Sequence, residues 1–181
     1  MGGRIIWIDL EMTGLDSEKQ VIVEIASVVT DKDLNIVATG PDMAVAHAPE
    51  RLETMEEWSR EHHQASGLWD RILASDYDTV LAEHKTLEFL KAYCEARICP
   101  LGGNSVWQDR RFLLKYMPTL HEFLNYRDVD VSTIKELATR WYPHLPVFRK
   151  KKAHTALSDI LESIEELKYY RESVFVKAGR R

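Results

Sequence analysis

Features that would assign this chain to a special structural class are scarce in its sequence. Only two of the 181 residues are cysteines, Cys94 and Cys99, and neither pairs with a histidine at the spacing of a zinc site. Two cysteines cannot build the disulfide framework of a small secreted protein. We therefore expect reduced thiols, a cytoplasmic location and a fold that depends on its hydrophobic core.

Long hydrophobic runs are also missing. The longest apolar run near the start, Ile5–Ile8, has the length of a strand, whereas a membrane-spanning helix needs about 18 apolar residues. No basic region followed by an apolar stretch and a small-residue cleavage site is present, so we expect no signal peptide. Ile6 stands where an N-myristoylation motif has Ser or Thr. The sequence therefore predicts no membrane association.

An excess of positive charge is the third absence. The chain has 24 basic and 29 acidic residues and a net charge of −5, whereas proteins that wrap long nucleic acids are usually basic. An extended basic groove is therefore not expected. A short nucleic acid held by metal ions remains compatible, because carboxylates gathered around divalent cations would have their charge offset locally.

The sequence does contain enough hydrophobic residues, 45%, for a normal core, and no repeat, low-complexity segment or linker divides it. We predict one domain over residues 1–181, with a structured core to about residue 175 and a short basic tail. Strands are expected at Arg4–Leu10, Val21–Thr30 and Leu34–Thr39. Their close spacing predicts an antiparallel meander, with the first strand central because it is apolar on both faces.

The rest of the chain alternates between helical and strand-like patterns. The predicted elements are helices over Arg51–His62, Thr79–Arg97, Arg110–Tyr116 and about Ala153–Val174, a helix that Ser132 or Thr133 caps and that ends before Pro143, and short strands at Leu101–Asn104 and Asp128–Val131. The buried stripe of the last helix is expected to consist of Leu157, Ile160, Leu161, Ile164 and Leu167. Strands first, then alternating helices and strands, predict an α/β fold with a mixed central sheet flanked by helices.

The pair Asp9 and Glu11 is the first candidate for chemistry. Residues i and i+2 of a strand point to the same face, so both carboxylates lie together at the end of a buried strand. They repel each other unless a cation lies between them, and hard divalent cations take oxygen ligands. Chance is a real alternative, since 29 acids in 181 residues give about 29 × 29/181, roughly five, acid-x-acid pairs. The position of this pair, at the end of a buried strand and just before the turn at Thr13-Gly14, distinguishes it from the other acid-x-acid pairs, but the pair alone leaves chance and a metal site both open.

Three further residues add to this pair. His154 and Asp159 lie near the start of the last predicted helix, and Asp109 follows the turn at Gly102–Ser105. Interpreted separately, each is an ordinary surface or helix-start residue, because an acid near a helix N-terminus is favourable in any case. Interpreted together, the two acids supply more carboxylates, and a histidine near a metal-bound water could act as a general base. The residue types alone leave both interpretations open.

The ordered combination is more specific than its parts. An acidic pair on the first strand, Asp109 in mid-chain, and His154 with Asp159 near the C-terminus resemble the DEDD exonucleases that have a catalytic histidine. Further motifs resemble the oligoribonuclease family within that group, namely Trp7–Leu15, Gly103–Ser105, Asp109–Leu113, Tyr126-Arg127 and Asp130–Leu137. The resemblance extends over essentially the whole chain, to Tyr170 and beyond.

This resemblance implies a ribonuclease H-like fold and the removal of nucleotides from the 3′ end of very short RNAs, down to dinucleotides. Carried over by position, the metal ligands would be Asp9, Glu11, Asp109 and Asp159, with two Mg²⁺ or Mn²⁺ ions bound. His154 would deprotonate the attacking water. Two such ions can stabilise both the attacking and the leaving oxygen of an in-line displacement. The product would be a 5′-mononucleotide.

The resemblance also implies residues that limit the length of the RNA. They are Leu15, Trp58, His63, Ser105, Tyr126, Arg127, Ser132 and Thr133. Leu15 would wedge against a base, with Trp58 and His63 along the path of the nucleotide. Ser105, Ser132 and Thr133 would donate hydrogen bonds to the 5′ phosphate. Arg127 would supply positive charge for that phosphate, and together with Tyr126 it would act across a homodimer interface. Residue types alone favour simpler roles for all of them except Arg127, for which both interpretations stay open. Trp58 could belong to the core, and the hydroxyls at positions 132 and 133 could be helix caps.

Two alternatives differ from a short-RNA exonuclease in what they require of the sequence. A DEDD exonuclease that acts on DNA would be expected to have a larger basic face. A relative that only binds RNA or a protein partner would be expected to have lost a metal ligand or the general base. All five of these positions are present in the chain, at Asp9, Glu11, Asp109, His154 and Asp159.

Overall fold

The structure of the chain is a computed structural model, and residues 3–149 and 155–175 are described. His154, the basic run 150–152 and the C-terminal tail lie outside these ranges. The strands within them are β1 (Ile5–Met12), β2 (Ile22–Thr30), β3 (Ile36–Ala44), β4 (Leu101–Gly103) and β5 (Asp128–Asp130). The helices are α1 (Pro49–Glu53), α2 (Glu57–Ala65), α3 (Leu68–Leu73), α4 (Thr79–Tyr93), α5 (Trp107–Tyr116), α6 (Pro118–Phe123), α7 (Val131–Trp141) and α8 (Ala156–Ser173). Of these helices, none combines the length and the apolar character that crossing a bilayer requires.

The five strands form one mixed sheet in the order β3-β2-β1-β4-β5. β1 pairs antiparallel with β2, and β2 pairs antiparallel with β3, which confirms the predicted meander. β4 lies parallel to β1, and β5 lies parallel to β4, because helical connections return the chain to the same end of the sheet. β1 is the middle strand, which explains why its sequence is apolar on both faces.

Helices cover both faces of the sheet. On one face, α4, α5 and α6 pack against Ile8 and other even-numbered residues of β1. On the other face, α7 and α8 pack against Trp7 of β1 and Ala26 of β2. A smaller cluster holds α1 and α3 against β2 and β3. Because Asp9 and Glu11 share a strand face with Trp7, their carboxylates point toward the α8 layer.

The helices of the first half differ from the prediction where the chain changes direction. The predicted helix Arg51–His62 is two helices, α1 and α2. They separate because the Glu56 N–H donates to the Thr13 carbonyl at 2.8 Å, which ties this segment to the end of β1. α4 ends at Tyr93 because Cys94 is extended. The short helix α3 was not predicted.

Proline residues mark where the helices in the second half of the chain begin and end. The predicted end of a helix before Pro118 is confirmed, since α5 ends at Tyr116. The sequence did not predict that Pro118 also begins α6, although proline suits the first turn of a helix, where its missing N–H has no helical partner. The predicted stop before Pro143 is confirmed by the end of α7 at Trp141.

Candidate active site

Asp9, Glu11 and Asp159 come together on one face of the sheet. The first two alternate along β1, and Asp159 lies in the first turn of α8. Thr155 caps that helix in a capping box with Ser158, which determines where the first turn begins. Each acid offers one oxygen, and these three oxygens lie within 4.8 Å of one another. We call these three residues the carboxylate cluster. Its spacing and ligand type suit a divalent cation.

The surroundings of Glu11 disfavour a bare negative charge. Burial raises the pKa of Glu11 to about 8, and the charge of neighbouring acids, Glu24 first, adds to this rise. The Nδ1 atom of His63 lies 3.9 Å from the Glu11 carboxylate. Burial lowers the pKa of His63, and its Nε2 lies 2.9 Å from the Met12 carbonyl, which can only accept. A neutral His63 therefore presents a hydrogen-bond acceptor to Glu11, which does not stabilise the charged carboxylate. A bound cation would offset both the cost of burying that charge and its repulsion by the neighbouring acids.

Asp109, the fourth predicted ligand, is buried next to β1. It lies in the first turn of α5, and its Oδ1 accepts the Leu10 N–H at 3.1 Å. Burial raises the pKa of Asp109 to about 7, and its charge contributes to the raised pKa of Glu11. The structure therefore places three predicted ligands in one tight group and the fourth beside it. The predicted base, His154, lies outside the described residues.

A pocket of about 370 Å³ opens beside Glu11. Leu15, Trp58 and His63, three of the predicted substrate residues, line it. Leu15 and Trp58 are 64% and 66% exposed, so the alternative that Trp58 belongs to the core is wrong. The Trp58 ring stacks on that of His62, with the ring centroids 3.8 Å apart. An exposed indole in a pocket is a surface on which a nucleobase can stack.

Ser105, Ser132 and Thr133 line a second pocket, of about 390 Å³. The Oγ atoms of Ser105 and Ser132 are 3.3 Å apart. One oxygen of Asp130 accepts the backbone N–H groups of both serines, at 3.0 and 2.9 Å. Asp130 is thus the N-cap of α7, and the expectation that Ser132 or Thr133 caps this helix is wrong. The three predicted phosphate-binding residues nevertheless share one concave surface.

Tyr126 and Arg127 form an exposed pair. The Arg127 Nε donates to the Tyr126 hydroxyl at 2.9 Å, and the guanidinium lies over the ring, 5.3 Å from its centroid. Tyr126 lines a third pocket, together with Arg97 and His121. Both side chains are therefore accessible from solvent.

Glu24, which no sequence motif singled out, is fully buried next to the carboxylate cluster. It lies opposite Glu11 in the register of β1 and β2. Arg71 of α3 bonds the Glu24 carboxylate and also that of Asp42, the latter at 3.0 Å. The second Glu24 oxygen accepts the N–H of Ala156, the first residue of α8, at 2.9 Å. We call Glu24, Asp42 and Arg71 the Arg71 cluster. The sequence contains one sign of this role, because Glu24 is the one charged residue in the apolar strand β2.

Two more buried polar residues escaped prediction. Glu166 of α8 accepts a hydrogen bond from the Asn104 side chain at 3.1 Å. The predicted stripe of this helix included Leu161, but Leu161 is exposed and Glu166 is fully buried. Gln108 of α5 donates to the Leu15 carbonyl. Helical periodicity does not reveal either residue, because both are polar and their partners are far away in sequence.

Solved exonuclease structures share this fold. The structure of E. coli Exonuclease I in complex with a 5cy-dT13 oligonucleotide superposes on 96% of this chain with a TM-score of 0.75 and 13% identity. A moderately thermophilic Exonuclease I from Methylocaldum szegediense covers 95% of this chain with a TM-score of 0.68 and 15% identity. This chain spans only 42% and 41% of those two chains. At such low identity the likeness concerns the fold alone, and it confirms the predicted ribonuclease H-like architecture.

Sequence relatives are much closer. The family model described as Exonuclease, RNase_T, matches residues 6–167. The oligoribonuclease of Xanthomonas campestris pv. campestris (strain 8004) is 52% identical over 177 residues, which are 97% of this chain and 91% of that protein. The probable oligoribonuclease of Caenorhabditis elegans is 51% identical over 175 residues, with the same coverage of 97% and 91%. With this identity over nearly its whole length, the chain belongs to the oligoribonuclease family of exonucleases.

Proposed function

We propose that this chain is a 3′-to-5′ exoribonuclease that hydrolyses very short oligoribonucleotides, above all dinucleotides, to 5′-mononucleotides. The observation that carries this proposal is the pocket in which Leu15, Trp58 and His63 adjoin Glu11 of the carboxylate cluster. Its volume of about 370 Å³ is in the range of pockets for small ligands, not of an extended groove. Relatives named oligoribonuclease support the same class of substrate.

The proposed cofactor is a pair of Mg²⁺ or Mn²⁺ ions. The carboxylate cluster fits such ions because carboxylate oxygens are hard ligands and because burial there disfavours a bare negative charge. Asp9, Glu11 and Asp159, with Asp109 beside them, would hold the two ions. When bound, the ions stabilise charge on the attacking and leaving oxygens.

His154 is the proposed general base. It immediately precedes Thr155, the N-cap of α8, and Asp159 lies in the turn that follows. The imidazole would accept a proton from the attacking water. The oxygen that leaves the phosphate would gain a proton and become the 3′ hydroxyl of the shortened RNA, while the phosphate stays on the 5′ oxygen of the released nucleotide.

The remaining predicted residues would select short RNA. Trp58 would stack on a base, Leu15 would wedge against a base, and His63 would lie along the nucleotide. Ser105, Ser132 and Thr133 would donate hydrogen bonds to the 5′ phosphate, which their shared concave surface supports. A substrate with one or two phosphates needs no extended basic groove, in keeping with the net charge of −5.

The proposed assembly is a homodimer in the cytoplasm, with Tyr126 and Arg127 acting across the interface. The planar guanidinium of Arg127 suits a phosphate group, and its exposure makes it accessible to a second subunit. Each subunit would be a single exonuclease domain over residues 1–181, with a core to about residue 175 and a short basic tail.

The experiment that tests this function compares three substrates in the presence of Mn²⁺ or Mg²⁺. They are a 5′-phosphorylated diribonucleotide, a seven-nucleotide RNA and a long single-stranded DNA. We expect the highest kcat/KM for the diribonucleotide, 5′-mononucleotides as products, and no turnover after chelation of the metal. A preference for the DNA would identify a DNA exonuclease instead, and RNA binding without turnover would identify a non-catalytic relative.

A His154→Ala variant separates chemistry from binding in the same assay. Loss of a general base lowers the rate of a hydrolysis by about 10²–10⁴-fold. We expect such a fall in kcat with an unchanged Kd for the diribonucleotide. An equal loss of binding would make the role of His154 structural.

A further inference from the structure

Glu166 of α8 is a fully buried acid, and hydrogen-bond donors of other residues face its carboxylate. The Asn104 side-chain amide donates to its Oε2 at 3.1 Å. At the other oxygen, Oε1, the Tyr170 hydroxyl donates at 3.4 Å, and the Lys135 Nζ lies 3.5 Å away. Burying a carboxylate is costly unless it has partners of this kind. The proposed reaction makes no use of this group.

The Glu166 carboxylate determines which way the Asn104 amide faces. An ionised carboxylate only accepts hydrogen bonds, so the amide must turn its NH₂ group toward Glu166, and not its oxygen. The same Nδ2 atom lies 3.3 Å from the Oγ of Ser132. One side-chain amide therefore connects the buried acid of α8 with a hydroxyl at the start of α7.

The Asn104 amide in turn determines the direction of the Ser132 hydroxyl. A hydroxyl has one hydrogen and two lone pairs. Because one lone pair accepts the Asn104 N–H, the hydroxyl hydrogen points away from Asn104 and is available to an acceptor in the pocket that Ser105, Ser132 and Thr133 line. Without the amide, a bound phosphate would have to order this hydroxyl itself, which costs binding free energy.

The residue that follows Asn104 has a backbone conformation that needs support. Ser105 has a φ of 54°, in the left-handed region that residues other than glycine rarely adopt. Such a conformation persists where the surrounding contacts determine it. The Asp130 carboxylate accepts the Ser105 N–H at 3.0 Å, and Glu166 holds the side chain of the preceding Asn104. Glu166 therefore supports the turn that presents Ser105 to the same pocket.

Helix α8 carries Glu166 and a proposed metal ligand on one side. Asp159 of the carboxylate cluster lies seven residues before Glu166, which is about two turns and about 10 Å along the helix axis. Positions i and i+7 share a helix face. One helix therefore places an acid at the proposed metal site and a second acid behind the proposed phosphate site.

We infer that Glu166 is a positioning residue for recognition of the 5′ phosphate, which acts through the Asn104 amide on the Ser132 hydroxyl. This inference rests on the proposed function and adds to it a residue that does not line the pocket. The charge of Glu166 by itself would repel a phosphate. Loss of positioning should therefore weaken the preference for a 5′ phosphate, whereas loss of the charge alone should strengthen it.

The test compares kcat/KM for a 5′-phosphorylated diribonucleotide with kcat/KM for the same diribonucleotide that ends in a 5′ hydroxyl. Glu166→Met removes both acceptor oxygens at similar side-chain length. We expect the ratio of the two values to fall about fivefold, or about 1 kcal/mol, through a higher KM for the phosphorylated substrate. Hydrolysis of the 5′-hydroxyl substrate should be retained.

Glu166→Gln is the conservative variant, which removes the charge and keeps one oxygen for the Asn104 amide. Its ratio should be equal to that of the wild type or higher. A fall as large as in Glu166→Met would overturn the inference, because the charge and not the accepted hydrogen bond would then be responsible.

Glu83→Met is the matched control for a general effect on stability. Glu83 of α4 accepts the Leu120 N–H at 2.9 Å, and α4 packs on the opposite face of the sheet from α8. The same substitution thus removes an acceptor far from the proposed phosphate site, and its ratio should equal that of the wild type.

Asn104→Leu is the second variant, and it decides the question if Glu166→Met does not fold. It removes the amide at similar size and leaves Glu166 its contacts with Tyr170 and Lys135. The ratio should fall by a similar factor. In a Ser132→Ala background, neither variant should lower the ratio further, because the hydroxyl that is positioned is gone.

Three further outcomes would overturn the inference while the proposed function stands. They are a ratio that is unchanged or raised in both Glu166→Met and Asn104→Leu, an equal fall in Glu83→Met, or effects that add to that of Ser132→Ala. A wild-type chain that does not prefer the 5′-phosphorylated substrate would instead contradict the proposed phosphate site itself. The wild-type measurement therefore separates the two failures.

Discussion

Two groups of acids lie side by side on β1 and β2, and their neighbours differ. Glu11 of the carboxylate cluster and Glu24 of the Arg71 cluster are directly opposed in the antiparallel register. Glu24 is bonded by the Arg71 guanidinium and by the N–H of Ala156. Burial, and after it the charges of other acids, raise the pKa of Glu11 to about 8. The protein thus neutralises Glu24 with its own cation, whereas the arrangement around Glu11 suits a cation from solution.

The largest expected effect concerns the carboxylate cluster. Asp159→Asn removes a charged ligand, and the loss of about 4 kcal/mol of stabilisation at a metal-assisted transition state would lower kcat about a thousandfold. The substitution should leave the free energy of unfolding nearly unchanged, because it removes repulsion as well as a charge. Activity is measured on a diribonucleotide and stability by urea unfolding. Full activity at saturating Mg²⁺ would mean that this acid binds no metal.

The second prediction concerns stability in the Arg71 cluster. Arg71→Met leaves the fully buried Glu24 without its cation, and breaking a buried pair on one side costs about 3–5 kcal/mol. We expect the free energy of unfolding, measured by urea unfolding, to fall by about 2 kcal/mol, because the Arg71 side chain is 39% exposed and solvent already screens its charge.

The matched variant for this prediction is Arg71→Met combined with Glu24→Gln. Removing both charges should recover part of the free energy of unfolding, because no buried charge is then left alone. If the double variant is less stable than Arg71→Met, the charge of Glu24 is not the source of the loss.

The third prediction is the pH dependence of metal binding. The pKa of Glu11 is raised from 4.5 to about 8 in the folded, metal-free protein. Between these two pH values the unfolded chain ionises this carboxyl more readily than the folded one, so the free energy of unfolding falls as the pH rises. A cation must displace that proton below pH 8, so its apparent affinity should rise up to about tenfold per pH unit between pH 6 and 8. The increase in Tm caused by Mn²⁺, measured across this range, should grow with pH. A Glu11→Gln variant should show a flatter dependence.

The smallest effect is expected at the exposed end of the Arg71 cluster. Asp42→Asn removes an ion pair whose side chains are 39% and 29% exposed, and such pairs contribute about 0–1 kcal/mol. Urea unfolding should therefore detect a loss below about 1 kcal/mol, and kcat should be unchanged. A loss as large as that of Arg71→Met would show that Asp42, not Glu24, is the main partner of Arg71.

Local periodicity predicted the elements that depend on local sequence. β1 was predicted within two residues at its end, because a strand that is paired on both sides is apolar throughout. The predicted helix Arg51–His62 failed for the opposite reason. Its amphipathic pattern is helical, but a hydrogen bond from Glu56 to the distant Thr13 interrupts it. Such a contact leaves no trace in a periodic pattern.

The candidate site was predictable to the extent that its residues lie on motifs. The same-face placement of Asp9 and Glu11 follows from strand geometry alone. Their approach to Asp159 was expected from the resemblance, and the oxygens lie within 4.8 Å of one another. Glu24 and Gln108 were missed because neither belongs to a motif, and what distinguishes them is a partner in another element.

The sequence by itself determined which acids share a strand face and where the turns fall, because these depend on neighbours within a few residues. It also determined which family the chain resembles, because motifs can be compared along the chain without knowledge of the fold. The tertiary structure alone decided which acid faces a cation and which faces other acids. Glu24 and Ala156 are 132 positions apart, and Gln108 and Leu15 are 93 apart. Contacts over such separations depend on how whole elements pack, because the burial of apolar faces determines how the sheet and the helix layers are arranged. Buried polar groups then form hydrogen bonds with whichever residues this packing brings next to them.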